Sequence, residues 1–161
     1  MIEIWIDGSC EPINPGGTGC IGYIIKNNGA TIAVGSQTVG KGEGMTNNVA
    51  EYYALIYALK EIRRLKLENE DVLVRSDSQL LVNQMNRKWK VHATHILRLV
   101  DEARNLAPLS RFRIEWISRE ENEEADQLAR SAYKKSLKEG KVTIQESKKA
   151  NHNLEFFLKK P

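Results

Sequence analysis

The sequence predicts an α/β fold in which helices flank a five-stranded mixed sheet, three antiparallel strands followed by two parallel ones, in the order βββαβααβα. Two observations lead to this prediction. Three strand-like segments follow one another at the start of the chain, and from residue 46 onward amphipathic helices alternate with short strands. A chain of 161 residues with 41% hydrophobic content is long enough for one compact domain with a core.

The first three strands are expected to form an antiparallel meander. The segment IEIWID alternates isoleucines with Glu3, Trp5 and Asp7. The segments GCIGYIIKNNG and ATIAVGSQTVG are two further strands around an Asn-Asn-Gly turn. Asp7 ends the first strand, and Gly8 after it lacks a side chain, so another part of the molecule can approach the backbone closely.

A long amphipathic helix is predicted next, from an N-cap at Thr46 to about Leu65. At about 100° per residue, Glu51 lies at the head of the apolar stripe of this helix. A carboxylate buried there without a partner costs several kcal/mol, on the order of a large share of a domain's stability. Glu51 therefore requires a partner, a proton or a metal ion. The other members of the stripe are Ala54, Leu55, Ala58, Ile62 and Leu65.

The second half of the chain predicts two more strands and three more helices. DVLVRSD is a short strand, SQLLVNQMN a short helix, and HATHILRLVDEARNLA an amphipathic helix that ends before Pro108. RFRIEWIS is the fifth strand. Ser118 and Glu121 then form a capping box that opens a last helix, which is expected to end near Gly140.

Charge divides the chain into a domain over residues 1–138 and a basic tail over residues 139–161. Residues 134–161 hold eight Lys and three Glu, whereas the rest of the chain has 16 basic and 18 acidic residues. Two interpretations of the tail stay open, contact with nucleic acid and a solvated terminus.

Cysteine usage and hydropathy predict a soluble, cytoplasmic protein without membrane contact; we also expect a monomer, although the sequence carries no signal for the oligomeric state. Cys10 and Cys20 match no zinc or redox spacing, and two thiols make no disulfide framework. The start of the chain has no basic segment or cleavage site of a signal peptide. No apolar run approaches the roughly 18 residues of a membrane span.

Four acids share an unusual placement: Asp7, Glu51, Asp77 and Asp126. If the first and fourth strands pair in parallel, Asp7 and Asp77 lie at the same edge of the sheet, where open α/β sheets place their sites. Carboxylates brought together repel one another unless a divalent cation neutralises them, and oxygen ligands suit Mg²⁺ or Mn²⁺. Taken singly, Asp7 also suits a turn, Asp77 a helix start and Asp126 a solvated helix face.

Four segments resemble, in order and approximate separation, the motifs of the type 1 ribonucleases H: DGSCEPINPGG, TNNVAEYYAL, SDSQLLVNQM and NEEADQLA. The resemblance covers residues 1 to about 135 and implies the ribonuclease H-like fold. It implies an endonuclease that hydrolyses the RNA strand of RNA–DNA hybrids with two Mg²⁺ ions per site, Mn²⁺ being a substitute, and leaves 5′-phosphate and 3′-hydroxyl ends. Asp7, Glu51, Asp77 and Asp126 are then the metal-binding catalytic acids.

The resemblance also implies two groups of substrate contacts. Residues that distinguish the 2′-hydroxyls of the RNA strand are Gly8, Ser9, Cys10, Asn14, Asn47, Asn48 and Gln79. The segment NRKWKVH brings Arg87, Lys88 and Trp89 to the DNA backbone. Alternatives remain open: NPGG is a competent turn, the Asn pair suits a helix start, and NRKWKVH suits a solvated connector with Trp89 in the core.

In three features the chain resembles a compact, archaeal-like branch of the family: it lacks the basic protrusion, it lacks a His before the last helix, and it has Glu11, Pro12 and Ile13 between Cys10 and Asn14. The loop before the last helix, SREENEE, has no His, and we assign no catalytic role to His92, His95 or His152. Either Arg119 or Glu120 substitutes for that His, or turnover is slower. Some members of this branch also accept double-stranded RNA, so the breadth of the substrate stays open.

Two other functions remain to be weighed against hybrid cleavage. One is an integrase- or resolvase-type member of the same fold, which would not be expected to pair an Asn-Asn helix start with Glu51. The other is a hybrid-binding module without activity, against which the four intact acids argue.

Overall fold

The computed structural model describes residues 1–107 and 111–158, with side chains described for residues 1–107 and 111–140. Its element order, βββαβααβα, confirms the prediction. The strands are β1 (Ile2–Glu11), β2 (Thr18–Asn27), β3 (Ala30–Lys41), β4 (Val72–Ser76) and β5 (Phe112–Trp116). The helices are α1 (Asn47–Arg64), α2 (Gln79–Met85), α3 (Thr94–Leu106) and α4 (Glu123–Leu158), and a 3-10 turn at Arg119–Asn122 precedes α4.

The five strands form one mixed sheet in the spatial order β3-β2-β1-β4-β5. The pairs β1–β2 and β2–β3 are antiparallel, and β1–β4 and β4–β5 are parallel, as the sequence predicts. Between β2 and β3, Asn28 and Gly29 have φ of 50° and 85°, which suits a two-residue hairpin turn. In the parallel pair Ile6 lies opposite Ser76, so the next residues, Asp7 and Asp77, reach the same edge of the sheet.

Helix α1 packs on one face of the sheet through the predicted apolar stripe. The three isoleucines of β1 that face it are fully buried, and so are Leu55 and Ile62 on the stripe. At its start the helix comes so close to β1 that a Cβ on Gly8 would lie 2.4 Å from the carbonyl carbon of Ala50. Gly8 is therefore required because it lets the first turns of α1 rest on the end of β1.

Helix α4 covers the opposite face. A Cβ on Gly22 of β2 would lie 2.3 Å from the carbonyl oxygen of Ala125, so the start of α4 rests directly on β2. Gly22 is the β2 partner of Asp7. Since side chains alternate along a strand, Asp7 projects on the α4 side of the sheet while Gly8 faces α1.

Two boundary predictions are wrong. The first strand does not end at Asp7 but continues to Glu11, because the residues after Asp7 go on pairing with β2. The last helix does not end near Gly140 but continues to Leu158. A single Gly costs about 1 kcal/mol in a helix. Gly140 is flanked by Lys138, Glu139 and Lys141, which favour a helix, and the next Pro is residue 161. The penalty of Gly140 is therefore too small to end the helix. The predicted tail over residues 139–161 and its role stay predictions, because its side chains from residue 141 onward lie outside the described ones. Pro108, predicted to follow the third helix, also lies outside the described residues.

None of the helices in the described ranges combines the length and apolar character that crossing a membrane requires.

Candidate active site

Three of the four predicted acids meet at one point. Asp7 lies within β1, directly after the segment that pairs with β4, Asp77 follows β4, and Glu51 lies in the second turn of α1. One carboxylate oxygen from each lies within 4.8 Å of the other two. Asp7 and Glu51 are buried, with 7% and 8% of their surface exposed, and Asp77 is half-buried. The parallel β1–β4 pairing and the close approach at Gly8 thus bring together side chains that are up to 70 residues apart in the sequence.

The cluster is electrostatically unfavourable for the protein alone. Burial, and after it the negative charges of Asp77 and Asp126, together raise the pKa of Asp7 from 3.8 to about 8. Burial also raises the pKa of Glu51 well above its usual value, followed by the charges of Asp7 and Asp77. A backbone hydrogen bond from Gly8 works in the opposite direction for both carboxyls. Each acid therefore favours a proton or a cation over bare negative charge.

The chemistry of the donors fits a hard divalent cation. Glu51 Oε2 is buried and has no hydrogen-bond partner among the described residues. A buried carboxylate oxygen is ordinarily hydrogen-bonded, so an oxygen left open beside two other carboxylates fits a metal ligand. Mg²⁺ and Mn²⁺ prefer such oxygen ligands. Asp7, Glu51 and Asp77 are the residues that could hold the ion.

Asp126 reaches the same place from α4 but lies outside the tight group of three. Its carboxylate is half-exposed and forms an ion pair with Arg130 at 3.0 Å, one turn further along the helix. It nevertheless acts on Asp7 both through its charge and through a side-chain hydrogen bond, and both raise the pKa of Asp7. All four predicted acids therefore line one cleft, with three in direct proximity and Asp126 at the rim.

The cleft has a volume of about 700 Å³ and is open on one side. It contains three of the predicted substrate contacts, Gly8, Ser9 and Asn47, and also both candidates for the role of the missing His, Arg119 and Glu120. Residues that the sequence analysis did not assign to the site also line it: Glu11, Glu123, Arg130, Tyr133 and Lys134.

The loop after β1 is tied to the start of α1 by the predicted asparagines. The amide of Cys10 donates to Asn47 Oδ1 at 2.8 Å, and the amide of Asn47 donates to Asn14 Oδ1 at 3.1 Å. Because the carbonyl of the Asn47 side chain is directed at Cys10, its NH₂ group is the part left to face the cleft. Asn48 is half-buried, and Gln79 is exposed at the start of α2. Thr46 caps the helix as predicted, accepting from Val49 at 3.1 Å.

The predicted DNA-side contacts lie beyond the end of α2 and do not line the acidic cleft. Arg87, Lys88 and Trp89 are exposed, and the amides of Lys88 and Trp89 both donate to the carbonyl of Asn83. Trp89 is 48% exposed. The alternative in which Trp89 is part of the core is therefore wrong. The segment is a surface that presents basic groups around an aromatic ring.

Sequence reasoning missed two residues that contact Asp77. Asn122 donates from Nδ2 to Asp77 Oδ2 at 3.2 Å, and Trp116 donates from Nε1 to the carbonyl oxygen of Asp77 at 3.2 Å. For Asn122 the sequence contained one signal, its position directly after the predicted Ser118–Glu121 capping box. The structure confirms that capping box. For Trp116 no local signal existed, because the contact depends on the pairing of β4 with β5.

The sheet order, the helices on its two faces and the acidic cluster at the ends of β1 and β4 define the ribonuclease H-like class. Comparison with known proteins agrees. A family model described as "Reverse transcriptase-like" matches residues 6–132. The crystal structure of RNase H1 from Halobacterium salinarum has a TM-score of 0.74 and 30% identity, covering 83% of this chain and 98% of that one.

Two further relatives narrow the family. LC11-RNase H1, isolated from compost and solved in complex with an RNA/DNA hybrid, has a TM-score of 0.76 and 33% identity over 85% of this chain and 99% of that one. The bifunctional protein Rv2228c of Mycobacterium tuberculosis is 37% identical over 126 residues, which is 78% of this chain and 33% of that protein. The chain thus spans about a third of the length of its mycobacterial relatives. It belongs to the type 1 ribonuclease H family.

Proposed function

We propose that this protein is an endonuclease that hydrolyses the RNA strand of RNA–DNA hybrids and leaves 5′-phosphate and 3′-hydroxyl ends. The observation that carries the proposal is the meeting of Asp7, Glu51 and Asp77 within 4.8 Å, with a buried oxygen of Glu51 left open. Such a site is built for divalent cations. The relative LC11-RNase H1, solved with an RNA/DNA hybrid, supports the choice of substrate.

The four acids have distinct places in the proposed two-ion mechanism. Asp7, which is buried and influenced by both Asp77 and Asp126, would hold the ions together with Glu51 and Asp77, and Asp126 would add its charge from α4. When bound, two Mg²⁺ ions, or Mn²⁺ in their place, activate the attacking water and stabilise the departing 3′ oxygen. The fold holds the carboxylates close together and partly buried, which favours the binding of cations.

Choice of the RNA strand is assigned to the edge of the cleft formed by the β1 loop and the start of α1. Gly8, Ser9 and Asn47 line the cleft, and hydrogen bonds to Cys10 and Asn14 fix the orientation of Asn47. Small residues and an amide NH₂ group can approach a sugar closely and bond its 2′-hydroxyl, which DNA lacks. Asn48 and Gln79 do not line the cleft, and their part in this choice is proposed from the family resemblance alone.

The complementary DNA strand is assigned to the surface after α2. Arg87 and Lys88 supply positive charge, and the exposed ring of Trp89 supplies an apolar face for a sugar. In the loop that holds a His in many relatives, Arg119 and Glu120 line the cleft and are in place to act on the leaving group or the product.

One assay tests the proposal. The same labelled RNA strand is presented single-stranded, paired with DNA and paired with RNA, each with Mg²⁺, Mn²⁺ or EDTA. We expect cleavage of the RNA–DNA hybrid with either metal and none in EDTA; cleavage of the RNA–RNA duplex would widen the substrate class. Undiminished cleavage in EDTA contradicts the proposal. Hybrid binding in EDTA with no cleavage in Mg²⁺ or Mn²⁺ identifies a binding module instead.

The matched variant for this assay is Asp7→Asn, which keeps size and shape and removes the central charge. We expect at least about a 1000-fold loss of cleavage, because a single residue of a catalytic set commonly carries that much. Asp101→Asn is the control, since Asp101 is an exposed acid on α3 away from the cleft. Full activity of Asp7→Asn would show that the acidic cluster is not the catalytic centre.

A further inference from the structure

Asp77 lies where secondary structure does not fix a side chain. It stands between Ser76, the last residue of β4, and Ser78, the N-cap of α2. The side chain is only half-buried, unlike Asp7 and Glu51. A carboxylate at such a junction needs contacts from elsewhere in the fold if it is to present an oxygen to the cluster in one orientation.

Asn122 supplies the first of these contacts. It belongs to the 3-10 turn before α4 and is only 1% exposed. Its Nδ2 donates to Asp77 Oδ2 at 3.2 Å and to the carbonyl oxygen of Ile6 at 2.8 Å. Ile6 directly precedes Asp7. One amide group therefore joins the backbone beside the central acid to the carboxylate of Asp77.

The orientation of the Asn122 amide is dictated by its partners. The carbonyl of Ile6 and the carboxylate of Asp77 accept hydrogen bonds and do not donate them, so the NH₂ group must face both. As a result the side-chain oxygen points elsewhere, and Oδ1 is buried with no partner among the described residues. A buried oxygen without a donor destabilises the fold. The amide is thus placed for its two N–H groups, at a cost that an apolar residue of similar shape would avoid.

Trp116 supplies the second contact. It is the last residue of β5, and its indole Nε1 donates to the backbone carbonyl of Asp77 at 3.2 Å. The ring is 48% exposed, so burial of the ring does not by itself explain its placement. Asn122 holds the carboxylate of Asp77 and Trp116 holds its backbone, from two different elements.

We propose that Asn122 and Trp116 are positioning residues that orient Asp77 for binding of the divalent cation. The inference rests on the proposed function, since it concerns the same cluster of acids. Groups that hold a ligand without touching the metal typically change metal affinity by about 10- to 100-fold when they are removed. Neither residue contacts the substrate in this role; both act through Asp77.

The experiment measures Mg²⁺ affinity directly, by calorimetry and by the shift of the unfolding temperature with Mg²⁺ concentration, alongside the Mg²⁺ dependence of hybrid cleavage. Asn122→Leu removes the amide and keeps the shape, and Trp116→Phe removes the indole donor and keeps a ring. We expect Mg²⁺ affinity to fall about 10-fold or more for Asn122→Leu and by a smaller factor for Trp116→Phe. The KM for hybrid at saturating Mg²⁺ should stay within about twofold, because a positioning role leaves the substrate contacts intact.

Gln84→Met is the matched control. Gln84 is an amide residue that is 6% exposed and accepts from the Tyr52 hydroxyl at 2.8 Å, away from the acids. Its replacement should lower stability without changing Mg²⁺ affinity. Wild-type Mg²⁺ affinity in folded Asn122→Leu overturns the proposal. If that variant does not fold, unchanged affinity in Trp116→Phe overturns it. Wild-type protein that binds Mg²⁺ but does not cleave hybrid contradicts the proposed function and leaves the positioning of Asp77 to be judged on affinity alone.

Discussion

Glu51 and Tyr52 are neighbours in α1 and both are buried, but the fold treats their polar atoms differently. The Tyr52 hydroxyl is fully enclosed and donates to Gln84 Oε1 at 2.8 Å. Glu51 Oε2 has no such partner among the described residues, and two more carboxylates lie beside it. One peptide bond thus separates a polar group that the protein satisfies by itself from one that it leaves to a ligand.

The difference teaches how to recognise a site within a well-packed domain. The Tyr52 hydroxyl serves the structure alone, and the fold supplies its hydrogen bond, because an unpaired group is costly. An unpaired atom does not by itself mark a site, since Glu68 Oε2 and Asn122 Oδ1 also lack partners among the described residues. Glu51 is distinguished by the two further carboxylates beside its open oxygen, an arrangement that lowers local stability until a ligand binds. Removing a polar group should therefore have opposite effects on stability in the two regions.

The largest expected effect is at the acidic cluster. In EDTA at pH 8, Asp7→Asn should raise the free energy of unfolding by about 1–2 kcal/mol, because it removes one of several carboxylates that repel one another. Chemical denaturation measures the change, with Asp101→Asn as the exposed-acid control. If Asp7→Asn destabilises the metal-free protein by a similar amount, the cluster is not under electrostatic strain and the comparison fails.

The same repulsion predicts a dependence of stability on pH. The folded-state pKa of Asp7, about 8, lies above its ordinary value of 3.8, so between these values the folded protein binds more protons than the unfolded chain. The stabilising contribution of the protonated acid is complete below about pH 4 and is lost as the pH rises through 8. In EDTA, the unfolding temperature should fall across this window.

Mg²⁺ provides the control for the pH series. A cation that binds the ionised carboxylates stabilises the folded state at high pH, so saturating Mg²⁺ should flatten the dependence. Asp7→Asn should reduce the dependence in EDTA without any metal, and the part that comes from Glu51, whose pKa is also raised by burial, should remain. A wild-type profile in EDTA that rises from pH 4 to pH 8 would contradict the raised pKa of Asp7.

Most of the fold was predictable because it depends on local patterns. Alternation along β1 and the stripe on α1 set which residues are buried, and the caps at Thr46 and Ser118 set where helices or turns begin. The burial of Glu51 also followed from the stripe. The end of α4 was not predictable from Gly140, because one weak helix breaker does not outweigh the favourable residues around it.

The acids were predictable and their supports were not. Parallel pairing of two strands is enough to bring Asp7 and Asp77 to one edge. In contrast, Asn122 reaches Ile6 across 116 positions of sequence, and Trp116 reaches Asp77 across 39. These contacts depend on the pairing of β5 with β4 and on the packing of the 3-10 turn against β1. No periodicity in the sequence reports that packing.

At the satisfied pair of Tyr52 and Gln84, an effect of comparable size and opposite sign is expected. Tyr52→Phe leaves Gln84 Oε1 buried without its donor and should lower the free energy of unfolding by about 1–2 kcal/mol. The Mg²⁺ dependence of cleavage should not change. Tyr53→Phe is the control, because Tyr53 is the half-buried neighbour whose ring packs edge-on against Tyr57. A neutral or stabilising Tyr52→Phe would place Tyr52 in the same class as the acids.

The smallest expected effect tests whether the hydrogen-bond partner of a polar group, or its closeness to the cleft, decides how its removal changes stability. Thr46 lies at the head of α1, next to Asn47 in the cleft wall, but its hydroxyl accepts from Val49 at 3.1 Å and is therefore satisfied. Thr46→Ala should lower the free energy of unfolding by about 1 kcal/mol, the usual value of an N-cap, and Thr46→Ser should restore most of it. Urea denaturation in EDTA measures both. If the hydrogen-bond partner decides the sign of the effect, Thr46 behaves like Tyr52 although it is near the acids. A gain in stability for Thr46→Ala would mean instead that proximity to the cleft decides the sign.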